Sequence, residues 1–314
     1  CKETCRLMMS RKNISKYMVI MFQVILLALF LQSCASWGIP YNDDVRFGDR
    51  QDLGEVELDT LVELSGLASS RRNHGVLWMH NDSGDENRIY ASDTKGRYLG
   101  TYYLDGCAAG DWEDMAIGPG PNPEQSYLYV GNIGDNFAVY DERVICRVVE
   151  PRVTRNKPPL VVHLQNVDTI KFSYPDSPRD AETLMVDPLT KDIYVVSKRE
   201  KRVKVYRAAY PQSTHETIIL EDVATLPFGG ITSGDISFSG DEILLKTLHS
   251  VFYWQRQNDS PLWQAFQQAP TRLPYILEPQ GEAIAWDAQG KGYYTVSEEA
   301  FKIPVHLYFY PRLK

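Results

Sequence analysis

The stretch GDWEDMAIG (110–118) places Asp111, Glu113 and Asp114 around a tryptophan, directly ahead of an apolar run that reads as a strand. The arrangement recurs as RDAETLMVD (179–187) and QGEAIAWD (280–287), so it belongs to an architecture before it belongs to a chemistry. Five segments share the pattern of a small or acidic residue running into a strand: LSGLASS (64–70), WEDMAIG (112–118), AETLMVD (181–187), SGDISFS (233–239) and GEAIAWD (281–287). Aligning Ser65, Glu113, Glu182, Gly234 and Glu282 gives intervals of 48, 69, 52 and 48 residues. Each opening strand is followed by a second, such as GVLWMHNDSGD (75–85) or SYLYVGNIGDN (126–136), and then by a third. Three or four short strands repeated every ~40–50 residues are the signature of a β-propeller.

The expected fold is therefore all-β, a propeller of five blades, with six as the alternative. Four units supply a fourth strand, at 98–104, 167–175, 216–226 and 271–279. The fifth unit ends after its third, while an orphan strand, EVELDTLVE (55–63), precedes the first unit. Placing that N-terminal strand on the outer edge of the last blade closes the ring and removes an exposed sheet edge. The predicted closing pair is the strand near 55–63 with the strand near 304–310. The long second interval is read as an extended hairpin of blade two at 151–166.

Composition limits the partners. The chain has 43% hydrophobic and 24% charged residues, with 41 acidic against 33 basic side chains, a net charge of −8. Removing the first 33 residues, which hold five basic side chains and one acidic, leaves −12. Such a surface repels phosphate backbones, so nucleic acid is not an expected partner. The protein is expected to be a monomer.

The N-terminus reads as an address. Arg11, Lys12 and Lys16 precede the apolar run YMVIMFQVILLALFL (17–31), and LQSC follows at 31–34. A basic segment, an apolar segment and a small residue before the cut make a secretory signal. An uncleaved membrane anchor is the alternative, although the run is short for a span of ~20 residues. The stop at Cys34 resembles the bacterial lipobox, with Gln32 less usual, which would make Cys34 the lipidated first residue. Met8 or Met9 is the expected start, so Cys1 and Cys5 receive no role. The organisation read from the sequence is a signal with lipobox at 1–33, a linker at 34–52 and one propeller at 53–314. The localisation that follows is a bacterial cell envelope, exported and lipid-anchored at the outer membrane or cell surface. Two cysteines remain, Cys107 and Cys146, and their spacing leaves a disulfide and two free buried thiols equally open.

Strand starts from different blades converge on one mouth of the central channel, which sets Glu113, Glu182 and Glu282 around an axis. Two readings follow. In one, each carboxylate accepts backbone N–H bonds and staples neighbouring blades. In the other, converging carboxylates bind a hard cation, calcium or another divalent ion, which takes oxygen ligands. The loops NDSGD (81–85) and NIGD (132–135) align Asp82 with Asn132, which are candidate helpers at the mouth. Asp85 and Asp135 read as turn formers beside glycines. Lys198, Lys246 and Glu298 fall near the same loop ends and are candidate contacts for an anionic ligand held through a bridging cation. The sequence has no G-x-S-x-G elbow, no Walker loop, no dinucleotide fingerprint and no zinc-helix histidine pair, and NDSGDEN lacks the twelfth-position glutamate of an EF-hand.

The phrases ELSGLASS, LWMHNDSGDENRIYASDTKGRYLGTYYL, DWEDMAIGP, LYVGNIGDN, YPDSPRDAETLMVDPLTKDIYVVSK and GEAIAW resemble a group of bacterial exported propeller proteins akin to the SdiA-regulated and phytase-like propellers, and more distantly the gluconolactonase and regucalcin type. The resemblance covers roughly 60–310. It implies a divalent cation at the channel mouth and phosphoester or lactone hydrolysis. Only Glu113, Glu182 and Glu282 match the strand-start acid of those families, and the lysine, arginine and acid cluster with which a phytase holds phosphate is not recognisable. The expected function is thus a lipid-anchored propeller that binds a ligand or an envelope protein at its mouth, with a metal-dependent hydrolase as the alternative.

Overall fold

Each repeat folds as an antiparallel sheet, since its β-branched and aromatic runs are mostly 5–8 residues long and are separated by turns. In the computed structural model the described residues are 46–313 without 59, 156, 157, 258, 259 and 300–302, and they belong to one unit spanning 40–314. They form five sheets, the five blades of a propeller. Blade one opens with Leu64–Ser69, blade two with Trp112–Pro119, blade three with Ala181–Val186, blade four with Ile231–Ile236 and blade five with Gly281–Trp286. The opening strands are buried along nearly their whole length, because both faces of a blade are covered by its neighbours. That is why they read as continuous apolar runs rather than as alternation.

Apolar side chains interlock between blades. Trp78 and Tyr102 of blade one pack with Met115 and Leu128 of blade two, and Tyr129 and Phe172 of blade two pack with Leu184 and Tyr206 of blade three. Leu67 and Met79 join Tyr294 and Leu307 across the junction of blades one and five. Each fully buried large side chain of this kind contributes about 1.5–3 kcal/mol. Cys107, on the connector out of blade one, is bonded to Cys146 on the third strand of blade two, with 5.9 Å between Cα atoms. The cysteine pair left open by the sequence is a disulfide.

Four expectations are corrected. The ring does close on an N-terminal strand, but that strand is Gln51–Glu55, which pairs antiparallel with His306–Pro311. Residues 56–58 and 60–63 instead belong to the connection from blade five to blade one. Phe47 also bridges Arg312, so the end of the segment read as linker is part of the ring. The segment read as a hairpin of blade two supplies Leu160–Leu164, which lies parallel to Tyr98–Leu104 as a fifth strand on blade one. Blade two gains its own fifth strand, Ile218–Ile219, from the segment assigned wholly to blade three. Both additions cover an outer edge, the liability the sequence argument recognised only in blade five.

Side chains on the opening strands tie the blades around the axis. Ser65 Oγ donates to the carbonyl of Glu113. Asp114, fully buried, accepts from the backbone N–H of Leu184 (3.0 Å) in blade three and from Gly234 N–H (3.4 Å) and Ser233 Oγ (3.2 Å) in blade four. Thr232 Oγ1 donates to the Glu282 carbonyl (3.0 Å), and Asp235 accepts from Trp286 N–H (2.8 Å). Ser69 Oγ completes the circuit to the Trp286 carbonyl (2.5 Å). The stapling expected of the glutamates is thus done by other residues.

Candidate functional site: an acidic channel mouth

A β-bulge interrupts every opening strand at the same height. The pairing skips one residue between Leu64 and Gly66, Trp112 and Asp114, Ala181 and Thr183, Ile231 and Ser233, and Gly281 and Ala283. The skipped residues are Ser65, Glu113, Glu182, Thr232 and Glu282. A bulge releases one residue from the ladder and re-aims its side chain, so each blade presents one such side chain at the mouth. Blade four's equivalent is Thr232, two residues before the Gly234 expected from the alignment. The same register makes Asn81, not Asp82, the equivalent of Asn132, since they pair with Leu64 and Trp112, and brings Asp82, Lys198 and Glu298 to equivalent places one residue beyond the second strands.

Two overlapping groups of carboxylates result. Asp82, Asp111 and Glu113 have oxygens within 4.8 Å of one another, as do Glu113, Asp180 and Glu182. Glu113 belongs to both. Its carboxylate accepts no hydrogen bond among the described residues although the residue is only 2% exposed, and burial, with Glu182 and Asp82 adding their charge, pushes its pKa up to about 11. Burial also lifts Glu182 to about 7, Asp82 to about 6 and Glu298 to about 8, in each case with neighbouring carboxylates adding to the effect. Lys198 Nζ lies 2.5 Å from Glu182 Oε1. Burial works against its charge, and Glu182 and Glu282 overcome that and hold its pKa above the ordinary lysine value. Glu182 Oε2 is buried without a hydrogen-bond partner.

The other expected residues divide. Glu282 is at the mouth but in neither carboxylate group. Glu298 accepts from Gln280 Nε2 (2.6 Å) at the mouth of blade five. Asn132 turns its Oδ1 toward Asp111 N–H (3.1 Å) and Arg143 Nη2 (2.9 Å), so it positions Asp111 rather than facing the other acids. Lys246 lies two residues inside the equivalent position, fully buried, where it donates to the carbonyls of Gly281 and Thr247 and faces the Tyr275 ring at 4.5 Å. It ties blade four to blade five and is not open to a ligand. Asp85 and Asp135 do the turn work expected of them, Asp85 taking Arg88 and Tyr90 OH, Asp135 capping Val139 and Tyr140 N–H. Cys34 lies outside the described residues.

Asp111 and Asp180 are the residues the sequence reading did not select. Their signal was present, since each stands two residues ahead of its glutamate, in DWE and DAE, where blade five has QGE. Gly134 is required beside them, because a Cβ there would overlap both Glu113 Oε1 and Asp111 Oδ2. At the far end of the channel burial lowers the pKa of Arg71, with the charges of Asp235 and Glu150 opposing the effect.

No protein-family model matches the sequence, and no curated protein is similar to it. Among solved structures the chain is similar to the luciferin-regenerating enzyme, at 10% identity and a TM-score of 0.44, over 84% of this chain and 95% of that one. It is also similar to a chain of a nidogen/laminin complex, at 12% identity and a TM-score of 0.42, over 74% and 72% of the respective chains.

Proposed function

We propose that the protein is an exported, lipid-anchored propeller that binds a divalent cation, calcium, at its channel mouth and through it holds a ligand or an envelope partner. The observation that carries this reading is the contrast between two buried carboxylates. Glu150, fully buried at the other end of the blades, is surrounded by donors: Trp78 Nε1 (3.0 Å), Arg72 N–H (3.0 Å) and the hydroxyls of Ser70 and Ser126. Glu113 is 2% exposed and accepts none among the described residues. A carboxylate buried without donors is costly unless a cation joins it, and Asp82 and Asp111 supply two further oxygens of the kind a hard cation takes. Lys198 neutralises the Glu182 side, which leaves the Asp82, Asp111 and Glu113 group as the cation's place. The disulfide supports export, since such bonds persist in oxidising compartments.

The test is a thermal melt of the protein in calcium chloride and in chelator. An ion at a hundredfold excess over its dissociation constant stabilises by about 2.7 kcal/mol, roughly 5–10 °C for a domain of this size. Glu113→Gln and Asp111→Asn abolish the shift, and Glu282→Gln keeps it. Equal wild-type midpoints in the two buffers would refute the cation.

A further inference from the structure

The loop NFAVYDE (136–142), between the second and third strands of blade two, exposes three large apolar side chains in a row: Phe137 (87%), Val139 (63%) and Tyr140 (57%). It stands at the mouth end of the blade and touches the acidic site directly. Asp135 N–H donates to Asp180 Oδ1 (2.9 Å), and Arg199 bridges the Asp180 carboxylate to Asn136 Oδ1. The loop is held rather than free. The Asp135 carboxylate accepts from Val139 N–H (3.0 Å) and Tyr140 N–H (2.8 Å), Ala138 takes a positive φ of 50°, and the Arg143 guanidinium lies 5.1 Å from the centre of the Tyr140 ring. Apolar side chains set on an ordered loop lose little freedom on binding, which is the condition for an efficient contact.

The charge around the loop chooses the occupant. On one side lie Asp82, Asp111, Glu113 and Glu182, and on the other the exposed Asp141 and Glu142 continue the loop itself. The two nearest arginines are engaged within the fold, Arg199 on Asp180 and Arg143 on Asn132. We propose that this loop and the acidic mouth form one docking surface for a basic polypeptide segment of another protein, with an apolar side chain seated on Phe137 and Tyr140 and lysines or arginines toward the carboxylates. A membrane surface is a poor occupant, because the carboxylates of the mouth repel anionic lipid headgroups. Gly48 N–H bonds the Pro311 carbonyl (2.7 Å) and Leu313 N–H bonds Arg46 O (2.9 Å), so the chain enters the propeller at the end opposite the mouth.

The test uses the full chain in lipid nanodiscs, with empty discs subtracted, and a fluorescein-labelled peptide of alternating lysine and leucine beside its glutamate-for-lysine counterpart. All titrations are made in chelator, so that a failed cation site leaves the docking result readable. The lysine peptide binds at least tenfold more tightly than the glutamate peptide. Phe137→Ser with Tyr140→Ser weakens it at least tenfold at an unchanged melting temperature, whereas Val161→Ser on the outer strand of blade one does not. Equal affinities for the two peptides, or full binding by the double variant, would overturn the proposal. So would a concentration-dependent dimer, seen by light scattering, that the double variant alone abolishes, because the loop would then join copies of this chain.

Discussion

Glu113 and Asp114 are neighbours in sequence with opposite duties. Asp114 is saturated by donors from three blades, so removing its oxygens leaves several buried N–H and O–H groups unpaired. Asp114→Leu is expected to cost about 2–4 kcal/mol, while Asp114→Asn keeps a carbonyl acceptor and loses less; urea denaturation of the two variants checks the order. Lys246 makes a second residue-level prediction. Burial lowers its pKa from 10.5 to about 8, so the folded state binds fewer protons than the unfolded one between those values. Stability from this group is therefore lowest below pH 8 and rises as the pH climbs toward 10.5, by about 3 kcal/mol over the window. Lys246→Met lacks the rise, and the stability difference between the two proteins, measured at pH 7.5 and pH 10, should move toward the wild type. An unchanged difference would mean that the buried ammonium is fully compensated by its carbonyl partners.

At the scale of the element, the bulge decides what each strand start can do. Five bulges at one height turn Ser65, Glu113, Glu182, Thr232 and Glu282 out of their ladders. The repeat was legible because each blade restates it, and four of these five positions follow from the sequence alignment. Blade four failed because Thr232 and Ser233 carry no charge to mark the place, and the small residues of ITSGDI permit more than one register. The closing strand was misplaced for a related reason: EVELDTLVE alternates well, but alternation does not distinguish a strand from a connector that buries Val56 and Leu61. The parallel outer strands were not legible, since a parallel partner is set by a crossover and not by a local turn. Lys246 reads as a mouth lysine because it stands only two residues before Leu248, the place equivalent to Lys198. The disulfide also acts between elements. It spans 39 residues, and a closed loop of that length is worth about 4 kcal/mol. Cys146→Ser should lower the free energy of unfolding by roughly 2–4 kcal/mol, read from urea denaturation, and a change below 0.5 kcal/mol would show that the inter-blade packing holds the two blades unaided.

For the whole molecule, ring closure and tethering meet in blade five. The N-terminal strand lies on the last sheet, so the chain that would carry a lipid runs directly into the closing pair, at the end away from the acids. Cys34→Ala is expected to release the protein from membranes or to leave an unprocessed precursor. Metabolic labelling with a radioactive fatty acid checks the wild type, and an unlabelled product removes the anchor while leaving the propeller and its mouth intact. No helix among the described residues is long and apolar enough to cross a membrane. The molecule as a whole is a ring stapled by hydroxyls and by Asp114 and Asp235, and the proposed function assigns Glu113 to a cation instead. The most direct measurement of that claim is anomalous diffraction from crystals of the protein grown in calcium chloride. The account predicts a peak about 2.3–2.6 Å from carboxylate oxygens of Asp82, Asp111 and Glu113; a mouth at saturating calcium with Lys198 as its sole cation would contradict it.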